Sequence, residues 1–263
     1  MYVHGHHRSV LDFHRSRTAH DSAAYLLDEL RPGRSVLDVG CGPGSITADI
    51  AALVAPAWVT AVEKAPAALD AARALCAERG LTKVAFVHAD VFALPFTNDS
   101  FDIVHAHQVL QHVTDPVAAL REMRRVCVPG GVVAARDADY AAMTWYPQLA
   151  GMAAWRSAYR RTARAEGGEP DAGRRLLAWA LAAGFTDVTP TTSTWTYATP
   201  ESRTWWGGLW AERVVASAFA ERTAHYGLAT TADLARMAAD WRVWAEDPDG
   251  WFAVLHGEIL CQA

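Results

Sequence analysis

Asp38, Gly40, Gly42 and Gly44 are the residues whose types and spacing most clearly prescribe chemistry in this chain. They lie in Ser35-Val36-Leu37-Asp38-Val39-Gly40-Cys41-Gly42-Pro43-Gly44-Ser45, a short apolar run ending in an acid and then a glycine-spaced turn. The alanine-rich stretch Ile46 to Leu53 that follows reads as a helix. A strand, a tight turn and a helix start bring backbone N–H groups up to a bound ligand. Glycine serves there because the turn needs backbone angles that a Cβ forbids, and because a side chain would hold the ligand off the backbone.

A second acid, Glu63, ends the strand candidate Trp58-Val59-Thr60-Ala61-Val62-Glu63, nineteen positions past Gly44. A carboxylate at that distance meets ribose hydroxyls. Both features fit a nicotinamide dinucleotide and S-adenosylmethionine equally. The nicotinamide fingerprint, however, wants a third glycine where Ser45 stands. Proton-transferring candidates cluster at the ends of later strands: His107, His112, Asp137, Asp139 and Tyr140, with His14 and His20 nearer the N-terminus. A neutral imidazole suits proton transfer near pH 7, and an Asp-Tyr pair can hold an N–H or hydroxyl and draw its proton.

The elements that must position these groups alternate in type. Pro66 to Arg79 has a helical pattern closed by Gly80, and Lys83-Val84-Ala85-Phe86-Val87 is a strand leading into His88-Ala89-Asp90. Leu94-Pro95-Phe96 and a polar turn at Asn98-Asp99 precede the strand Phe101 to Ala106, then His107-Gln108-Val109-Leu110-Gln111-His112. A helix from Pro116 to Val126, Pro129-Gly130-Gly131 and a strand Val132 to Arg136 complete the series. Taken as a set, residues 10 to 140 resemble the class I S-adenosylmethionine-dependent methyltransferase family, in its small-molecule branch related to the quinone C-methyltransferases.

That resemblance implies an α/β fold with a doubly wound, seven-stranded, mostly parallel Rossmann-like sheet and a helical cap inserted before the last strand. The expected organisation is an N-terminal cap helix in residues 1–32, the cofactor-binding core in 33–140, a cap helix and sixth strand in 141–199, a helical insertion in 200–248 and the last core strand in 249–263. Ala182 to Val188 would hold the helix end and sixth strand, and Phe252 to Cys261 the seventh, antiparallel between the fifth and sixth. A helix from Arg17 to Leu30, halted by Pro32-Gly33, and a segment from Trp145 through Arg164 would close the flanks.

Roles carried over by the same resemblance place S-adenosyl-L-methionine on Gly40, Gly42 and Gly44. Asp38 would orient the turn or meet the methionine ammonium, and Glu63 would accept from both ribose hydroxyls. Lys64 would flank the adenine, Asp90 reach its amino group and Val91 pack on its ring. His107 and Arg17 complete the expected cofactor contacts. The catalytic candidates are Asp139, Tyr140 and His112.

Composition bounds the partners. The chain has 263 residues, 51% of them hydrophobic and 20% charged, ordinary for a globular protein of one elaborated domain. A net charge of −5 argues against nucleic acid or an anionic membrane, which require a basic surface. No stretch has the continuity of a transmembrane span, and the start lacks a signal peptide's apolar core. Cys41, Cys76, Cys127 and Cys261 show no metal-type spacing, consistent with reduced thiols in a cytoplasm. His4-Gly5-His6-His7 reads as a polar terminus, so no metal is expected. A homodimer is the candidate assembly.

Ten of the eleven tryptophans lie after residue 144. Trp205, Trp206 and Trp210 share one helical pattern and Trp241 and Trp244 another. Trp145, Trp206, Trp210 and Tyr25 are therefore expected to line a pocket for an apolar, aromatic substrate. The tryptophan-rich cap, with Arg17-Thr18 and Ser22-Ala23-Ala24-Tyr25, also resembles bacterial indole C3-methyltransferases of tryptophan-containing cyclic dipeptides, enzymes of secondary metabolism. C- or O-methylation of a quinone or phenolic polyketide is the alternative. A nicotinamide-dependent reductase and a non-catalytic cofactor-binding protein are the readings from other classes.

Overall fold

Strand register organises the molecule. In the computed structural model, which describes residues 17–263, eight strands form one sheet in the order β3-β2-β1-β4-β5-β8-β6, with β7 on the other edge of β8. The strands are β1 (Val36–Val39), β2 (Val59–Glu63), β3 (Val84–His88), β4 (Phe101–His107), β5 (Cys127–Ala138), β6 (Thr144–Tyr146), β7 (Val188–Tyr197) and β8 (Trp251–Gln262). The first five pair in parallel; β8 runs antiparallel to β5, β6 and β7. β1 is buried along its whole length, as a central strand covered on both faces must be. The chain winds outward from β1 to β3 and then returns to β4. This leaves a crevice beyond the carboxyl ends of β1 and β4.

Helices cover both faces. The 19–30 segment and α2 (Ser45–Val54) pack on one side through Leu26, Ile50 and Val54. α4 (Pro116–Val126) and α6 (Leu176–Ala183) pack on the other through Leu120, Met123 and Leu176. α3 (Pro66–Glu78) lies against β2 and β3. α4 starts where Asp115 accepts the Ala118 N–H at 2.9 Å with Pro116 next, the arrangement that relieves unpaired N–H groups at a helix start.

The helical insertion lies between β7 and β8, as the sequence predicts: α7 (Pro200–Ala216), α8 (Ala218–His225) and α9 (Thr231–Glu246). With α5 (Ala150–Ala165) and the first half of β8 they enclose a separate aromatic core. Trp155 meets Trp210 and Trp241 edge-on, with ring centroids 4.5 and 4.8 Å apart, and Trp145 stacks on Phe252 at 5.6 Å. Among the described residues, no helix is long and apolar enough to cross a membrane.

Two expectations are corrected. The sheet has eight strands, because β8 extends past β5 and its residues Trp251 to Ala253 pair with β6. The covering segment from Trp145 to Arg164 therefore starts as a strand and becomes helical only at Ala150. The expected helix from Arg17 to Leu30 is only α1 (Ala19–Ser22) and a single 3-10 turn at Ala24–Leu26. The indole N–H of Trp195 on β7 donates to the Asp21 carbonyl at 2.9 Å, taking an acceptor that a continuing helix would use. His14 and the His4–His7 cluster lie outside the described residues. His20 is exposed on α1 and does not line the crevice.

Replacing Trp241, fully buried in the aromatic core, with Ala should cost roughly 3–5 kcal/mol of folding free energy. Urea unfolding measures this, and S-adenosylhomocysteine affinity, read by calorimetry on the folded variant, should be unchanged.

Candidate functional site

The crevice is a pocket of about 850 Å³ whose walls come from the β1–α2 turn, the ends of β2, β3 and β4, and Arg17. Gly40, Gly42 and Gly44 all hold left-handed backbone angles, with φ of 70°, 53° and 84°. A Cβ built on Gly40 would lie 2.5 Å from Val109 Cγ2, so the turn and the segment after β4 approach more closely than any side chain permits. Gly44 caps α2 and faces Ala72 of α3 at similarly close range.

Asp38 braces this turn. One carboxylate oxygen accepts from the Thr47 hydroxyl of α2 at 2.6 Å, and the other meets His105 Nδ1 of β4 at 2.9 Å. Glu63 curls back on the same turn: Oε2 accepts the Gly42 N–H at 3.1 Å, and Oε1 accepts from Lys64 and Ala65 at 2.8 and 2.9 Å. Carboxylate oxygens accept more than one hydrogen bond each, so these contacts leave capacity for hydroxyl donors. Farther along the rim, Lys64 pairs with Asp90 at 2.6 Å, which holds the Asp90 carboxyl below its ordinary range. Val91 and the exposed Phe92 form an apolar wall beside that pair.

The sheet order sets His107 across the glycine turn from Glu63 and Asp90, toward β5 and β8. Gln108 follows with φ of +53°, unusual without glycine. Its side-chain Oε1 accepts from Arg17 at 2.7 Å, and its side-chain Nε2 lies 3.0 Å from His256 Nε2. His112 lines the same end, its Nε2 3.0 Å from Gln111 Nε2. Burial lowers its pKa to about 3 and holds His107 and His256 well below the usual range, so all three are neutral at pH 7. Asp137, on the opposite face of β5, accepts the Gln111 N–H at 3.1 Å, and burial pushes its pKa up to about 7.

All ten residues expected to contact the cofactor, Arg17, Asp38, Gly40, Gly42, Gly44, Glu63, Lys64, Asp90, Val91 and His107, lie on this pocket or in its turn. The turn fits S-adenosylmethionine: a cradle that a Cβ would fill, backed by a carboxylate in reach of a ribose.

A family model described as "Methyltransferase domain" matches residues 30–189. The chain belongs to the S-adenosylmethionine-dependent methyltransferases. An uncharacterized methyltransferase of Schizosaccharomyces pombe is 34% identical over 98% of this chain and 95% of its own length. The ubiquinone/menaquinone biosynthesis C-methyltransferase of Shewanella oneidensis is 40% identical over 38% of this chain and 41% of that protein. Among solved structures, phosphoethanolamine N-methyltransferase 2 of Haemonchus contortus in complex with S-adenosyl-L-methionine shares the fold. It has 16% identity and a TM-score of 0.54, covering 89% of this chain and 51% of that one.

Other expected site residues of the methyltransferase are placed elsewhere. Asp139 is buried off the pocket; Arg174 grips both of its oxygens at 2.5 and 2.8 Å, and it caps the turn at Ala142. Tyr140 stacks on Tyr159 at 4.0 Å in the aromatic core. These contacts hold both residues off the pocket lining, away from where the expected catalytic role would place them. Trp145, Trp206 and Trp210 pack on one another's neighbours in that core and do not line the pocket, because burial among apolar rings outweighs exposure to a cleft. Tyr25 is half-buried, with its hydroxyl out of solvent, and is off the pocket lining. Nothing local in the sequence marks Gln108, Arg136, His256 and Glu258, and only strand pairing gathers them.

Two outcomes test this geometry. Gly40→Ala should reduce S-adenosylhomocysteine affinity at least tenfold by calorimetry, and adding Val109→Ala should restore part of it. Because His112 is buried neutral, its stabilising effect is complete above about pH 6.5 and is lost as pH falls toward 3. Thermal melts of His112→Asn should accordingly fall less steeply over that window than wild type.

Proposed function

We propose that this methyltransferase acts on an apolar aromatic small molecule whose methyl-accepting atom is activated by loss of a proton from an O–H, as in a hydroquinone or phenol. The observation that carries this reading is the pocket end beyond the glycine turn, where His107 and His112 are both kept neutral by burial. A neutral imidazole accepts a hydrogen bond from an acidic hydroxyl and can take its proton as the oxygen becomes more nucleophilic. The Shewanella relative, named for a quinone-pathway C-methylation, agrees with that substrate class.

When bound, S-adenosylmethionine supplies a methyl group already activated on a sulfonium. Toward that donor the chain's own contribution is therefore alignment and water exclusion. The Gly40–Gly44 turn and Glu63 would hold the methionine and ribose portions, while Lys64, Asp90 and Val91 would frame the adenine. Val109, pressed against Gly40, fixes the height of the acceptor side relative to the turn.

Indole C3-methylation of a tryptophan-containing cyclic dipeptide is the second reading, since an indole N–H makes the same hydrogen bond to an imidazole. It has lost two supports: the Asp139-Tyr140 pair is off the pocket, and the cap tryptophans are core. Incubation with methyl-labelled S-adenosylmethionine and hydroquinones, phenols, indoles and cyclic dipeptides should put label on the hydroquinone or phenol. Label on the indole alone would select the second reading. S-adenosylhomocysteine at about a hundred times its Kd should raise the melting temperature, by about 2.7 kcal/mol of linkage, while NADH leaves it unchanged.

A further inference from the structure

A row of polar side chains crosses the sheet beside the pocket. His107 of β4 pairs with Arg136 of β5, Arg136 with Glu258 of β8, and Glu258 with Thr191 of β7, all on one face. Most of the row satisfies itself. Arg136 donates to Glu258 at 3.1 Å and to Ser193, Thr191 and Ser193 donate to Glu258, and the Arg136 guanidinium lies 4.7 Å over Trp195. The pocket end differs. His107 is 6% exposed and lines the pocket, yet neither ring nitrogen has a hydrogen-bond partner among the described residues. His256 Nδ1, on a ring 6.4 Å away, and the buried Tyr25 hydroxyl also have none.

Buried polar atoms are almost always paired, because an unpaired one gives up its hydration for nothing. A buried, unpaired imidazole on a residue that lines a ligand pocket points to a hydrogen bond made with whatever enters it. The neighbouring backbone reinforces this. Gln108 holds its left-handed conformation while clamped between Arg17 and His256, and strain of that kind gathers at ligand-binding positions.

We propose that His107 binds the acidic O–H of the methyl acceptor and takes its proton during transfer, with Gln108 held by Arg17 and His256 as the wall that seats the acceptor ring. The inference rests on the methyltransferase reading given above. In the transfer, the O–H bond breaks and its proton passes to an imidazole nitrogen. The electron pair of that oxygen, or of a ring carbon conjugated with it, forms the bond to the methyl carbon. The S–CH3 pair stays on sulfur as a neutral thioether. After O-methylation the imidazolium releases its proton to water. After C-methylation it returns the proton to oxygen while the ring C–H proton goes to water. The charged and titratable groups near His107 are Arg17, Arg136, His256 and His105; burial first, and the two guanidiniums after it, keep the ring unprotonated before transfer, with a lone pair free to accept the O–H.

The test uses the full chain with S-adenosylhomocysteine and 4-nitrophenol as probes. His107→Phe should bind S-adenosylhomocysteine within about threefold of wild type but 4-nitrophenol about tenfold or more weakly in the resulting complex. Label transfer to a hydroquinone accepted by wild type should fall by about 10²–10⁴-fold. His107→Gln should retain part of the 4-nitrophenol affinity but not the transfer rate. Nuclear magnetic resonance of histidine side chains, assigned with the Gln variant, should show the His107 ring responding when 4-nitrophenol joins the wild-type complex; a ring that does not respond overturns the proposal even if Phe prevents folding. Equal loss of both probes would make His107 a cofactor ligand and overturn it too, as would unchanged transfer by His107→Phe. Failure of the underlying reading is distinct: wild type itself would transfer label to no acceptor.

Discussion

The carboxylate of Asp38 joins three pieces of chain at one buried point: the end of β1, the first turn of α2 through Thr47, and β4 through His105. The glycine turn lies directly after it, and its height above the sheet is set by how β1, α2 and β4 are drawn together there. The contact between Gly40 and Val109 is a consequence of that closeness. Without the carboxylate, a buried imidazole and a buried hydroxyl would each lose a partner, a cost of about 1–3 kcal/mol for each. The direction of the turn's backbone N–H groups depends on this tie.

From that point the sheet acts as a polarity gradient. On the β2 and β3 side, the pocket presents carboxylates and the Lys64–Asp90 pair at the surface, suited to a sugar and an adenine. On the β5 and β8 side, it presents neutral imidazoles set into a buried row anchored by Arg136 and Glu258. Burial explains both the neutrality of the histidines and the need for Glu258, since a guanidinium so far from water requires a charged partner. The glycine turn separates a rim of charged side chains from a buried end of neutral imidazoles.

The cap contributes differently from what its composition implies. Trp155, Trp210, Trp241 and Trp244 are sealed among themselves, with Phe252 of β8 joining them to the sheet. Edge-to-face pairs of this kind add geometric preference to a large buried area, which favours a rigid support over an adaptable lining. The cap thus holds β8, and with it His256 and Glu258, in register against β5.

The cofactor half was legible in the chain because its residues are close in sequence and each has a local reason. The glycines follow a strand, Glu63 and Asp90 follow the next two strands, and hydrophobic period and turn residues reveal those strands directly. The antiparallel last strand was implied by the family resemblance, whereas the order β3-β2-β1-β4-β5 is set by strand pairing in the folded sheet. Composition alone could not separate a packed tryptophan from a pocket-lining one, since both lie on the same helical periodicity; Trp206 and Trp210 went to the core. Nor could it foresee that Arg174 would occupy Asp139, or that Trp195 would interrupt the helix after Asp21. His107, Arg136 and Glu258 lie far apart along the chain, and only pairing across β4, β5 and β8 makes them neighbours. Local sequence determines which backbone turns can form, whereas burial and charge at a site depend on segments that meet only when the sheet closes.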